Sequence, residues 1–86
     1  MKFLHYGFNL KHGESLKITL DKQANVRLLD DVNFQKYKSG TRHDYYGGRA
    51  LKSPLILTAP YTGHWHLVID LGGYRGTVRA SVARTD

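Results

Sequence analysis

The sequence contains no cysteine. Disulfide stapling is excluded, as is any thiolate metal site, and a cytoplasmic setting is favoured over an oxidising one. Long apolar runs are also missing. The longest mostly apolar stretch, residues 54–61, is interrupted by Pro60 and falls far short of the ~20 residues a membrane-spanning helix needs. The opening Met1-Lys2-Phe3-Leu4-His5-Tyr6 has no long apolar segment, so no signal peptide is expected. There is no Lys/Arg run, no internal repeat and no linker composition. No segment carries a 3.6-residue apolar period beyond two turns, which argues against helices layered on a sheet.

What is present fits one small folded domain. The chain has 86 residues, of which 41% are hydrophobic and 12% aromatic, too apolar for intrinsic disorder. A chain of this length buries only about 60–65% of the surface its unfolded form exposes. Its core is therefore modest, and homodimerisation or fusion to a larger protein would be a natural supplement. The formal net charge is +6, split evenly. Residues 1–40 hold seven Lys/Arg and four Asp/Glu, and residues 41–86 hold six and three, so each half is +3. Such a charge favours nucleic acid or acidic partners in general, but its even spread equally describes a solubilising surface.

Short alternating segments dominate. Residues 2–8 read as an aromatic-rich first strand followed by a turn over Asn9–Gly13. Residues 15–20 place Leu16, Ile18 and Leu20 on one face and Ser15, Lys17 and Thr19 on the other, the period of two of a half-buried strand. Ala24–Leu29 repeats this with Ala24, Val26 and Leu28 inward and Arg27 outward. Asp30 or Asp31 is placed to cap a short helix over Val32–Lys38 that stops at Ser39-Gly40. Phe34 and Tyr37 share one side of it and are expected to cover the end of the core. Thr41–Arg49 reads as a polar, aromatic, glycine-rich loop, with room for a short strand before Gly47-Gly48. Further strands are expected over 53–59, with Pro54 at a start or sheet edge, over His64–Asp70 and over Thr77–Arg84, with Val78, Ala80 and Val82 inward. The turns are Pro60–Gly63 and Leu71–Gly76. Roughly six to eight strands with turn signals every 8–12 residues predict an all-β, antiparallel β-sandwich, jelly-roll-like, with one short helical turn and a single domain over residues 1–86.

Four places could carry chemistry. In His64-Trp65-His66-Leu67-Val68-Ile69-Asp70, burying Trp65, Leu67 and Ile69 is far cheaper than burying the ionisable alternates, so His64, His66 and Asp70 should share the outward face. A His-x-His pair on a strand is a metal-ligand spacing. Asp70, however, lies four residues past His66, about 13 Å along a strand, so a third ligand must come from elsewhere, such as His43 or His5. The segment Arg42-His43-Asp44-Tyr45-Tyr46-Gly47-Gly48-Arg49 combines side chains that dominate binding surfaces with glycines that let a ligand approach the backbone; its alternative role is a lid on the core. His43 and Asp44 are adjacent and point apart in extended chain, so they form no acid–base pair. No serine sits in a nucleophile-elbow context. The Gly72-Gly73-Tyr74-Arg75-Gly76 stretch joins strand to strand and reads as a hairpin turn, without a following helix to cradle phosphate. Finally, Lys17, Arg27 and Arg79 would form a basic stripe if their strands were neighbours, although no stacking aromatics accompany them.

As a set, Asn25-Val26-Arg27-Leu28-Leu29-Asp30, Asn33-Phe34-Gln35-Lys36-Tyr37-Lys38-Ser39-Gly40, Tyr45-Tyr46-Gly47-Gly48, Ser53-Pro54, Gly63-His64-Trp65-His66 and Asp70-Leu71-Gly72-Gly73-Tyr74 closely resemble the bacterial domain-of-unknown-function family eighteen-eighty-three over essentially the whole chain. The resemblance implies an all-β domain, found alone or joined to a TIR signalling domain, and it carries over no catalytic residues, since none are established for the family. Val26–Gly40 and Gly63–Ile69 are also similar to β-sandwich accessory domains, which are usually non-catalytic binding or packing modules.

The sequence therefore leads to a non-catalytic interaction or ligand-sensing module, with no cofactor and no membrane partner expected. Its protein or small-ligand partner would be met by Arg42, His43, Tyr45, Tyr46 and Arg49 of one loop and by Tyr74 and Arg75 of the later turn. The alternatives are a small basic nucleic-acid-binding domain and a metal-dependent enzyme using His64 and His66.

Overall fold

A computed structural model describes residues 2–85. Seven strands and one helix follow one another as β1 (Phe3–Leu10), β2 (Ser15–Leu20), β3 (Ala24–Leu29), α1 (Asp31–Lys38), β4 (Tyr46–Ala50), β5 (Leu55–Thr58), β6 (Gly63–Asp70) and β7 (Ala80–Thr85). They build two antiparallel sheets, a four-stranded one in the order β1-β6-β3-β4 and a three-stranded one in the order β5-β2-β7. The chain changes sheet at every connection except β3–α1–β4. This wrapping makes the β-sandwich expected from the strand pattern. No helix among the described residues is long and apolar enough to cross a membrane.

The inward rows are those the alternation requires. Leu16 and Ile18 from one sheet meet Val26, Leu28, Trp65, Leu67 and Ile69 from the other, all fully or almost fully buried. Burying each such side chain stabilises the fold by roughly 1.5–3 kcal/mol. β6 is the organising strand. It pairs with β1 along its whole length and with β3 over five residues, and its Trp65 indole N–H donates to the Tyr61 carbonyl at 3.1 Å.

Several expectations are corrected. β1 runs on to Leu10, because Asn9 and Leu10 pair with His64 and Gly63; the turn is confined to the residues after it. β7 begins only at Ala80, because residues 77–79 lie outside the ladder, tied instead by the Arg79 N–H donating to Asp21 Oδ1 at 2.9 Å. Gly47 and Gly48 belong to β4 itself. Gly47 has φ +114°, and a Cβ there would lie 2.3 Å from the Val26 carbonyl oxygen, so this glycine permits close strand pairing. Lastly, Phe34 and Tyr37 do not cover the end of the core. Helix α1 lies on the outer face of the four-stranded sheet, where Phe34, Leu29 and Val68 form a second small core flanked by Phe3 and Tyr37. The basic stripe also fails to form, since Lys17 and Arg27 stand on strands of different sheets.

Candidate functional site

The outward row of β6 is His64, His66, Val68 and Asp70, as the burial of Trp65, Leu67 and Ile69 demands. Outward does not mean exposed, because α1 covers part of this row. Its placement follows from its cap. Asp30 accepts at Oδ1 from the Asn33 backbone N–H at 2.9 Å and from Asn33 Nδ2 at 3.0 Å, satisfying a free N–H of the first turn. Tyr61 Oη donates to Asp30 Oδ2 at 2.9 Å. Burial raises the Asp30 pKa, but these donors together with Lys36 outweigh it, leaving the carboxyl below its usual range. The helix ends where Gly40 turns left-handed, at φ +76°.

At the C-terminal end of β6 the covered half is a closed polar network. Asp70 is 2% exposed. Its Oδ2 accepts from Arg27 Nη1 at 2.6 Å and Tyr37 Oη at 2.7 Å, and its Oδ1 accepts from Asn25 Nδ2 at 3.0 Å and the Gly72 N–H at 2.8 Å. Burial alone would raise this pKa; the hydrogen bonds from Tyr37, Asn25 and Gly72, with the Arg27 charge, reverse the direction and hold the carboxyl low. The Tyr37 hydroxyl is pushed up by burial and by its bond to that carboxylate. The Arg27 guanidinium lies between the Tyr37 and Tyr45 rings, 5.5 and 5.1 Å from their centroids, and its buried Nε has no hydrogen-bond partner among the described residues.

At the N-terminal end the row is wetter. His66 Nδ1 and His5 Nε2 are 2.8 Å apart, and His66 Nε2 lies 2.6 Å from Asp31 Oδ1. Phe34 stacks on both imidazoles, at 4.2 Å and 10° from His66 and 4.4 Å and 21° from His5. His64 Nδ1 bonds to Asn9 Oδ1 at 2.9 Å. Partial burial, with His66, Lys38 and His64 as neighbours, lowers the His5 pKa.

The loop and turn residues singled out from the sequence are divided by the fold. Arg49, Tyr74 and Arg75 meet in one open groove of about 610 Å³, walled also by Lys22, Asn25 and Gly72. Tyr74 and Arg75 also line a second groove of about 790 Å³ with Phe3, Leu4 and Val78, so the turn is a ridge between two hollows. Tyr74 is 76% exposed. Arg49 Nη2 donates to Gln23 Oε1 at 3.2 Å. His43 and Tyr45 lie elsewhere, packed beside Tyr37 and Arg27, with His43 Nδ1 bonded to the Thr41 carbonyl at 2.9 Å. Tyr46 stands edge-on to Trp65 at 5.9 Å, and Arg42 remains exposed on the loop.

Lys22, Asn25 and Asp31 are the residues that sequence reasoning missed. Asp31 was visible as a helix-start acid but not as a neighbour of His66, because that contact spans 35 positions. Lys22 had only the signature of a polar turn.

Against known families, the sequence matches the one described as Domain of unknown function (DUF1883) over residues 1–86. The chain therefore belongs to that family. No curated protein and no solved structure gave a significant match.

Proposed function

We propose that this member of the DUF1883 family is a non-catalytic ligand-sensing module that takes a small anionic ligand in the groove between Arg49 and the Leu71–Gly76 turn. One observation carries the reading. Lys22, Arg49 and Arg75 converge on a hollow whose lining, among the described residues, includes no carboxylate side chain. Its size is that of small-molecule sites generally. The exposed Tyr74 ring offers an apolar or planar surface beside the charges, and arginines supply the fork geometry suited to phosphate or carboxylate. A cytoplasmic setting belongs to the same proposal and rests on the cysteine-free sequence.

The test is an amide NMR titration with inorganic pyrophosphate at low salt. Shifts are expected for Gln23, Asn25, Arg49 and Gly72–Arg75, and they should vanish in the Arg49→Ala/Arg75→Ala double variant. Unperturbed groove amides would overturn the reading. Tight binding of single-stranded DNA or RNA with a steep salt dependence, unaffected by the double variant, would favour the nucleic-acid alternative instead.

A further inference from the structure

The groove does not involve the histidines at the opposite end of β6, about 20 Å away along the strand, and the following inference is independent of it. We propose that Asp31, His64 and His66 form a binding site for a divalent first-row transition metal ion. One ligand atom from each of the three lies within 4.8 Å of the other two. Two come from alternate residues of one strand face, and the third is the first residue of α1.

The surroundings prepare the imidazoles as ligands. The Asn9 side-chain oxygen can only accept, so the His64 Nδ1 that meets it carries the proton. That leaves Nε2 of His64 with its lone pair free. His66 is arranged the other way round. Its Nε2 faces the Asp31 carboxylate, which can only accept, so without metal Nε2 carries the proton and Nδ1 accepts from His5 Nε2. An ion would displace that proton, after which Nδ1–H could donate to His5 Nε2. A metal-bound histidine ordinarily holds its second ring nitrogen in such a bond, which sets tautomer and orientation. The Phe34 ring fixes the plane of His66 by stacking at 4.2 Å. Gly7, opposite His66 in β1, borders the His64 ring: a Cβ on it would lie in ordinary contact, 3.6 Å from both Cε1 and Nε2.

Ligand atoms about 2.0–2.2 Å from a tetrahedral ion stand roughly 3.3–3.6 Å apart. The 2.6 Å separation of His66 Nε2 and Asp31 Oδ1 must open slightly and His64 must swing inward. Asp31 and His64 are exposed enough to do both. Two imidazoles and one carboxylate suit zinc and its first-row neighbours rather than calcium or magnesium. Three protein ligands leave a fourth position for water or another donor.

The test uses the untagged full chain, stripped with chelator and titrated calorimetrically with zinc, then with cobalt(II) followed by visible absorption. One ion per chain and the absorption bands of four-coordinate cobalt are expected. His64→Ala and Asp31→Asn should each weaken zinc binding at least about tenfold, whereas His12→Ala and His43→Ala should leave it unchanged. Circular dichroism of each variant shows that it is folded, and the two exposed ligands decide the matter even if His66→Ala fails to fold. No saturable binding overturns the site, as does binding that survives both His64→Ala and Asp31→Asn or that is lost with His12 or His43. In those cases the Asp31–His66–His5 chain is a structural hydrogen-bond network alone.

Discussion

Replacing Asp70 by alanine should be among the most damaging single changes in this chain. The carboxylate is almost wholly buried and takes four donors at 2.6–3.0 Å. Without it, Arg27 keeps a positive charge on a side chain only 19% exposed, its Nε already lacks a partner among the described residues, and Tyr37 Oη loses its acceptor. Removing one member of a buried ion pair costs about 3–5 kcal/mol, chiefly from the stranded charge. The residual exposure of Arg27 argues for the lower half of that range, so we expect about 3–4 kcal/mol. At ~0.05–0.15 kcal/mol of stability per residue, this is a large fraction of what a domain of this length possesses. The melting temperature should fall by ~12 °C or more, at about 4–8 °C per kcal/mol. Urea unfolding followed by circular dichroism measures the loss, and a double-mutant cycle with Arg27→Ala identifies its source. If the stranded charge dominates, the Asp70→Ala/Arg27→Ala double variant will be much less unstable than the sum of the singles. A loss under ~1 kcal/mol in Asp70→Ala, or strict additivity in the cycle, would refute the reasoning.

Three further outcomes are expected. Gly47→Ala should destabilise by about 2 kcal/mol or more, because positive φ and a Cβ 2.3 Å from the Val26 carbonyl act together; Gly48→Ala, with φ +146° and open space around its Cβ, should lose less, and equal urea midpoints would contradict this. Asp70 has a depressed pKa in the folded chain, so its contribution is complete above the unfolded value near ~4 and disappears as pH falls through the folded value; acid unfolding should begin below about pH 4, and Asp70→Asn should flatten that limb of the stability–pH curve. Asp30→Ala removes the helix cap and the acceptor for Tyr61 and should cost about 1–2 kcal/mol, read as a lower melting temperature.

Much of the sandwich was legible because period-two alternation is a local property. Leu16 and Ile18, Val26 and Leu28, and Trp65, Leu67 and Ile69 announce their inward faces without knowledge of their partners, and all are buried. A helix cap at Asp30 or Asp31 was legible for the same reason, and the structure places it at Asp30. The glycines of β4 were not: they resemble loop glycines until the Val26 carbonyl is placed against them. The candidate sites were legible only in part. Arg49, Tyr74 and Arg75 were named together and share a groove, but Arg42, His43, Tyr45 and Tyr46 belonged to the same segment and are dispersed. An extended chain sends successive side chains in opposite directions, so proximity in sequence separated them in space.

The outward row of β6 shows why a strand face is an incomplete unit of inference. Four residues at spacing two share a side of the sheet, yet Val68 is dry, Asp70 is ion-paired and buried, His66 is half-covered and His64 is exposed. What divides them is α1, set on the sheet by Asp30 and by the stacking of Phe34. The same helix brings Asp31 to the histidines and Tyr37 to Asp70. An eight-residue helix with little apolar periodicity of its own thus creates both polar constellations of this face. Its Phe34 side therefore has to stay dry for the histidine cluster to keep its shape. A substitution that removes the ring stacked on His5 and His66 and loosens α1, such as Phe34→Ala, should disorder the imidazoles together with the second small core, whereas the groove at Arg49 and Arg75, which rests on β3, β4 and the turn after β6, should persist. Correlated loss of both regions would mean that α1 supports more of the domain than its contacts with β3 and β6 indicate.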